Sequence, residues 1–293
     1  MLFEKTCIIG VGLIGGSLGI ALRERKLARQ VVGLVRREAT IDEAYRRNAV
    51  DNATTNPEEA LRGADLVFLA SPVGQIQPLC EQYEPMIRAG ALVTDAGSTK
   101  LEIVEGCSSI FGTKANFLGG HPMAGSERTG VEHATGTLFE GAVWILTPTP
   151  QTPEAATQKM VQLIEGVGAK PLVMDAATHD ALVAVTSHLP HITAAALVHL
   201  FSASQAKHDE TSQLIAGGWR DSTRVAAGSA EMWRDICLAN TPAITGGLDE
   251  LIAQLQLLRE LLATQDGQKV LEWFESAAQV RRKQGYMPAR ALQ

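Results

Sequence analysis

Short apolar, β-branched runs alternate with helical patterns over the first 174 residues, and beyond Asp175 such runs no longer occur. Thr6-Cys-Ile-Ile9, Val31-Val-Gly-Leu-Val35, Leu66-Val-Phe-Leu-Ala70 and Ala91-Leu-Val-Thr-Asp95 each read as a buried strand. Phe117-Leu118, Val143-Trp-Ile-Leu146 and Pro171-Leu-Val-Met174 add further strands. Between them, Leu18, Ala21 and Leu22 run at helical spacing to a basic end at Arg23, Arg25 and Lys26. Asn56-Pro-Glu-Glu opens a helix with a capping residue, a first-turn proline and early acids, and another helix covers 154–164. This alternation predicts a parallel sheet covered on both faces. After Asp175 the apolar residues recur at helical spacing only. One helix runs from Thr178 to Phe201, broken or kinked at Pro190. Leu248, Leu251, Ile252, Leu255, Leu258 and Leu262 mark a strongly amphipathic helix, and a last one carries Val270, Trp273 and Phe274. The expectation is an α/β domain over 1–174 followed directly by an all-α domain over 175–293, without a flexible tether.

Composition narrows the function. The 293 residues are 45% hydrophobic, ordinary for a soluble globular protein of one large or two normal domains. A net charge of −6 argues against a nucleic-acid binder or a protein held on acidic membranes, both of which need a basic excess. The four cysteines (Cys7, Cys80, Cys107 and Cys237) form no C-x-x-C pair, which suits a reducing cytoplasm without a disulfide framework or metal cluster. The apolar run from Cys7 to Leu22 is punctuated by five glycines and reads as folded core, neither signal peptide nor membrane span.

The first candidate chemistry is Gly10-Val-Gly-Leu-Ile-Gly15, set between a strand and a helix. In a dinucleotide-binding turn Gly10 makes the bend, Gly12 lets backbone approach a pyrophosphate, and Gly15 lets helix and strand pack closely. Leu13 and Ile14 open the helix, whose N-terminus offers N–H groups to phosphate. Ser71-Pro72 closes a neighbouring strand at the same predicted edge. The second strand ends at Val35 where an NAD enzyme places an acid on the ribose, and Arg36 and Arg37 follow. A guanidinium pairs with a 2′-phosphate bidentately, so the reading is NADP, with NAD possible.

The second is His121. The strand Phe117-Leu118 stops at Gly119-Gly120, and Pro122 cannot continue a ladder, so the imidazole should face a cleft from a strand end. There a neutral imidazole can accept a proton near neutral pH; alternatively it only satisfies a loop carbonyl. Ser98, in Asp95-Ala-Gly-Ser-Thr-Lys100, stands at another strand end, as a site residue or a plain helix cap. In the helical half, His188 and His191 lie three apart on one face, without the third ligand a zinc site usually needs. Gly217-Gly-Trp-Arg-Asp-Ser-Thr-Arg224 places Arg220 and Arg224 four apart, as a small anion site, with Met232-Trp233 as a wall.

Over nearly its whole length the chain resembles the prephenate/arogenate dehydrogenase family of tyrosine biosynthesis. The carrying motifs are the glycine turn continued to Ser17, Asp95 to Lys100, Gly119-Gly-His-Pro-Met-Ala-Gly125, Ser187-His-Leu-Pro-His191 and Trp219 to Arg224. The third and fifth are specific; the first is shared by many dehydrogenases. The resemblance implies an N-terminal Rossmann-type NAD(P)-binding domain, a helical domain that forms a homodimer, and oxidative decarboxylation of a cyclohexadienol. It implies that His121 takes the proton of the ring hydroxyl, that Ser98 orients both, and that Arg224 binds a carboxylate. Arg220, His188, His191, Trp233 and Ser126 would shape the pocket. Glu127 would favour the ammonium of arogenate over the keto group of prephenate, or else pair with a nearby arginine and close the pocket. Two alternatives stand beside this. A β-hydroxyacid dehydrogenase would need a lysine acid/base that no motif around Lys207 supplies, and a non-catalytic NADP sensor would have no need for Ser98, His121 and Arg224 together.

Overall fold

The computed structural model describes residues 1–126 and 128–284. Among them, eight strands form one sheet: β1 (Phe3–Ile9), β2 (Ala28–Leu34), β3 (Asn52–Thr54), β4 (Leu66–Leu69), β5 (Leu92–Asp95), β6 (Asn116–Pro122), β7 (Val143–Thr147) and β8 (Lys170–Val173). Their order is β3-β2-β1-β4-β5-β6-β7-β8. The connections turn back between β1 and β4, which opens a crevice at the carboxyl ends of those two strands.

Every pair from β3 to β6 is parallel, as is β7 with β8. The expectation of a wholly parallel sheet fails at one place, where β7 runs antiparallel to β6. A parallel return needs a crossover element, usually a helix. Among the described residues of the link between β6 and β7 the one helical element is a 3₁₀ turn at Val131–His133, so the chain returns directly.

Helices α1 (Leu13–Glu24), α2 (Ala39–Arg46), α3 (Pro57–Leu61), α4 (Val73–Tyr83), α5 (Leu101–Phe111) and α6 (Glu154–Gly166) fill the connections. The Asn56 side chain caps α3 by accepting from Glu58 N and Glu59 N, as its sequence predicts. Side chains alternate along each strand, so the core has two layers. Ile8, Phe68, Leu118 and Trp144 pack on one face with Leu18 and Leu22 of α1. Cys7, Ile9, Val67, Val93 and Phe117 pack on the other with Ile76, Cys80 and Ile103 of α4 and α5.

The second half is helical: α7 (Ala176–Val183), α8 (Leu189–Gln205), α9 (Gly217–Thr223), α10 (Ala230–Ala239), α11 (Thr241–Thr264) and α12 (Gly267–Lys283). Asp175 caps α7 by accepting from Thr178 N at 2.8 Å. The regular α-helix is interrupted next to Pro190, as expected, but the helical run does not end there. Pro190 sits in the first turn of α8, and a π-helical turn at Ala184–His188 joins α7 to α8 as one run. The wider turn accommodates the missing proline N–H and the bulk of its ring. By length and composition Ala176–Gln205 is apolar enough to cross a bilayer. It buries His179, Asp180 and His188 with polar partners, while Leu182, Val185 and Leu200 are exposed.

The chain forms two compact units, Met1–Ala243 and a second beginning at Ile244. The sheet and α1 to α10 lie in the first. In the second, Ile252, Leu255, Leu262, Phe274 and Val280 are exposed along α11 and α12.

Candidate active site

The carboxyl ends of β1, β2, β4, β5 and β6 share one edge of the sheet, because these strands run in the same direction. At β1 the three glycines divide the labour that their spacing predicts. Gly10 has φ +92° and lies against the β4 end, where a side chain would meet the Ala70 carbonyl oxygen at 2.7 Å. A side chain on Gly15 would run into the Gly10 carbonyl, so this glycine serves packing. Around Gly12 there is open space, and Gly12 caps α1 without any side-chain bond to the helix N–H groups. Leu13 and Ile14 form the first turn, half-buried beside it. Ser71 and Pro72 follow β4 across the crevice, with Pro72 at the start of α4. An uncapped helix N-terminus beside an open backbone fits a pyrophosphate. At the end of β2, Val35 is buried while Arg36 and Arg37 are exposed, and neither forms an ion pair with a described residue.

Two neighbouring strand ends carry Ser98 and His121. Asp95, the last residue of β5, is buried and organises both. One carboxylate oxygen accepts from Gly120 N at 3.0 Å, which fixes the end of β6. The other accepts from Gly97 N at 2.8 Å and pairs with the fully buried ammonium of Lys100. Gly120 is needed at this approach, since a side chain there would meet the Asp95 carbonyl oxygen at 2.7 Å. Ser98 is half-buried between these anchors, and its hydroxyl has no partner among the described residues. It does not cap α5: Lys100 holds the N-cap position.

His121 is half-buried, and its Nδ1 lies 2.8 Å from His179 Nε2. His179 Nδ1 in turn lies 2.7 Å from Asp180 Oδ1. The Asp180 carboxylate also accepts from Lys100 N at 2.7 Å and Leu101 N at 2.9 Å, capping α5 from the start of α7. No described residue bonds to His121 Nε2. Burial holds the His121 imidazole well below its ordinary range, with His179, Lys100 and His188 adding to the shift. A neutral imidazole with one free nitrogen at a strand end can accept a proton.

The helical residues assemble partly as expected. His188 and His191 meet at Trp233 of α10: His191 stacks on the indole with centroids 3.6 Å apart, and His188 meets it edge-on at 6.1 Å. His188 Nδ1 lies 3.2 Å from Asn240 Nδ2, and burial brings its pKa down to about 4, with His179 adding to the shift and Asp180 partly opposing it. Burial also lowers His191. Arg220 lies in α9, and Arg224 opens a 3₁₀ turn that leads to Gly228, packed against His191 and Trp233. Both arginines are exposed and form no ion pair with a described residue. Ser126 accepts from Arg128 N at 3.1 Å in the turn after β6. Glu127 lies outside the described residues. His179, Asp180, Asp95, Lys100 and Asn240 were not singled out by sequence reasoning. The adjacent His179-Asp180 pair at a helix start was the one available signal.

Comparison with known proteins matches this arrangement to a family. The nucleotide-binding domain of prephenate dehydrogenase matches residues 18–173, and its dimerization domain matches residues 175–276. A cyclohexadienyl dehydrogenase of Zymomonas mobilis is 34% identical over 95% of each chain. Among solved structures, prephenate dehydrogenase from A. aeolicus, in complex with hydroxyphenyl propionate and NAD+, has a TM-score of 0.90 and 31% identity over 96% of this chain and 98% of its own. Synechocystis arogenate dehydrogenase has a TM-score of 0.84 and 30% identity over 96% of this chain and 99% of its own. With two family models matching residues 18–173 and 175–276, and relatives aligned along almost its entire length, the chain is an oxidoreductase and belongs to the prephenate dehydrogenase family.

Proposed function

We propose that this chain catalyses NADP-dependent oxidative decarboxylation of arogenate, prephenate or both, with His121 as the base. The observation that carries the reading is His121 itself. Its Nδ1 is engaged by His179, its Nε2 has no partner among the described residues, and it shares a sheet edge with an open glycine turn. The substrate class is supported by relatives named for prephenate, arogenate and cyclohexadienyl compounds.

Loss of hydride and carbon dioxide aromatises the cyclohexadienol ring, so the driving force resides in the substrate. The nicotinamide, when bound, supplies the hydride acceptor. Gly10, Gly12, Gly15, Leu13 and Ile14 would hold its pyrophosphate, with Ser71 and Pro72 on the opposite wall. The protein has to orient hydroxyl and carboxylate, exclude water and accept one proton. His121 Nε2 accepts the hydroxyl proton. The Ser98 hydroxyl, without a partner among the described residues, steadies the same oxygen. Arg224 pairs with a substrate carboxylate, and Arg220 strengthens the field there. His188, His191 and Trp233 form an aromatic wall against the ring. Ser126 borders the pocket in the turn after β6.

NADP is preferred because Arg36 and Arg37, exposed and without an ion-pair partner among the described residues, stand where an acid would repel a 2′-phosphate. NAD remains usable, as the NAD+ complex of the A. aeolicus relative suggests. The exposed Ile252, Leu255, Leu262 and Phe274 of α11 and α12, within the matched dimerization domain, support a homodimer. A cytoplasmic location fits the four free cysteines. The test is absorbance at the reduced-nicotinamide band with prephenate, arogenate and 3-hydroxyisobutyrate in turn. Turnover of either of the first two supports the reading; turnover of the third alone, or of none, overturns it.

A further inference from the structure

We propose that His179 and Asp180 are positioning residues that lock His121 in the tautomer protonated at Nδ1, leaving the Nε2 lone pair for the substrate hydroxyl. The inference rests on the reading of His121 as the base. An imidazole becomes a base toward one side only when its other nitrogen carries the proton, and that is set by the bond the other nitrogen makes. In water, neutral histidine favours the Nε2–H form, which would present a donor to the substrate oxygen. The protein therefore has to reverse the intrinsic preference.

The chain of contacts does this by elimination. An ionised carboxylate only accepts hydrogen bonds. Asp180 already takes two main-chain N–H groups, Lys100 at 2.7 Å and Leu101 at 2.9 Å, from the N-terminus of α5, where negative charge is favoured. Its contact with His179 Nδ1 at 2.7 Å requires the proton to sit on that nitrogen. Neutral His179 then has only a lone pair at Nε2, and its 2.8 Å contact requires His121 Nδ1 to donate. His121 Nε2 is left unprotonated. The groups that face His121 are His179 from α7, His188 from the π-helical turn and Lys100 from the start of α5. Of these, His179 is the one hydrogen-bonded to it. A doubly protonated His179, an imidazolium donating from both nitrogens, would turn the bond around and place the His121 proton on Nε2.

Asp180 also ties two parts of the site together. The same carboxylate holds the start of α5, two residues after Ser98, and the imidazole behind His121. The hydroxyl and the base are therefore referenced to one group.

Long-range 1H–15N correlation spectra of 15N-histidine-labelled full-length protein, with NADP, read the tautomer directly. The His121 signals are assigned by their loss in His121→Asn. Wild type is expected to show a protonated Nδ1 and an unprotonated Nε2 near pH 8. His179→Leu removes the acceptor: His121 should shift toward the Nε2–H form and kcat should fall by at least about tenfold, since the wrong tautomer cannot act as the base. His179→Gln offers a side-chain carbonyl to the same N–H and should restore both tautomer and most of the turnover. A protonated Nε2 on His121 in wild type overturns the proposal without any variant having to fold. So does His179→Leu with wild-type kcat and an unchanged His121 spectrum. The reading of His121 as the base fails separately, if His121→Asn turns over like wild type whatever its tautomer.

Discussion

Asp180 and Lys100 are 80 residues apart in sequence, and the Asp180 carboxylate accepts the Lys100 main-chain N–H at 2.7 Å. A helix N-terminus leaves N–H groups without partners and favours a nearby anion. Besides its own Glu102 in the first turn, helix α5 is capped from α7, because Lys100 at its N-cap makes no side-chain bond to the helix. Through this bond the loop carrying Ser98 and the imidazole supporting His121 are held by one buried acid, and the helical half becomes part of a site begun at the sheet edge.

The glycine turn separates folding from binding. Gly12→Ala adds a methyl group to open space and should leave Tm nearly unchanged while weakening NADP binding by tenfold or more. Gly15→Ala pushes a methyl group into the Gly10 carbonyl and should destabilise the fold by about 1–3 kcal/mol, as overpacking does. Calorimetry and cofactor titration on both variants check this. Equal loss of Tm in the two, or undiminished NADP affinity in Gly12→Ala, would contradict the assignment.

Arg36→Ala should weaken NADP binding and leave NAD nearly untouched. A charge-assisted pair to phosphate contributes about 1.5–3 kcal/mol, or roughly ten- to a hundredfold in affinity. The ratio of kcat/KM for the two cofactors is the readout. An unchanged ratio would remove Arg36 from the selectivity.

His188 predicts a stability change with pH. Folded, its pKa is about 4; in the unfolded chain it returns to 6.5. Between these values the unfolded chain carries a proton that the folded protein rejects, so stability falls as pH drops from 6.5 toward 4. At 1.36 kcal/mol per pH unit the loss approaches roughly 3 kcal/mol. Denaturant unfolding at pH 7.5 and pH 4.5 should show a smaller difference for His188→Gln than for wild type. The same difference in both would mean that His188 is not the group responsible.

The parts of this molecule that were legible in sequence are those written locally. Strand runs, the Asn56 cap and the spacing of Gly10, Gly12 and Gly15 each depend on neighbours within a few residues, and each appears where its pattern puts it. His121 does lie near the carboxyl end of its strand, but not for the expected reason: Gly119-Gly120 does not stop the strand, and β6 continues through His121 to Pro122, paired with β7 from Gly119 onward. Strand direction was not, because an apolar run reads the same both ways; the missing helix between β6 and β7 was the overlooked clue. Three-residue β3 is too short to show a period. That the interruption beside Pro190 takes the form of a π-helical turn within a continuous run was not legible, because a proline marks only that a regular helix cannot pass unchanged. The His121–His179–Asp180 chain and the Lys100–Asp95 pair rest on contacts between distant segments or inside the core, and a single sequence carries no spacing rule for them.

The most direct test of the account follows reduced nicotinamide and released carbon dioxide together, for wild type and His121→Asn, at saturating NADP from about pH 5 to 8. Wild type should release one carbon dioxide per reduced cofactor with arogenate or prephenate. Because burial and its cationic and imidazole neighbours keep His121 neutral below its ordinary pKa, the acid limb of kcat/KM should fall below pH 6.5. His121→Asn should bind NADP normally, turn over about 10²–10⁴ times more slowly and lose that limb. Wild-type turnover in His121→Asn, with the same pH profile, would contradict the account.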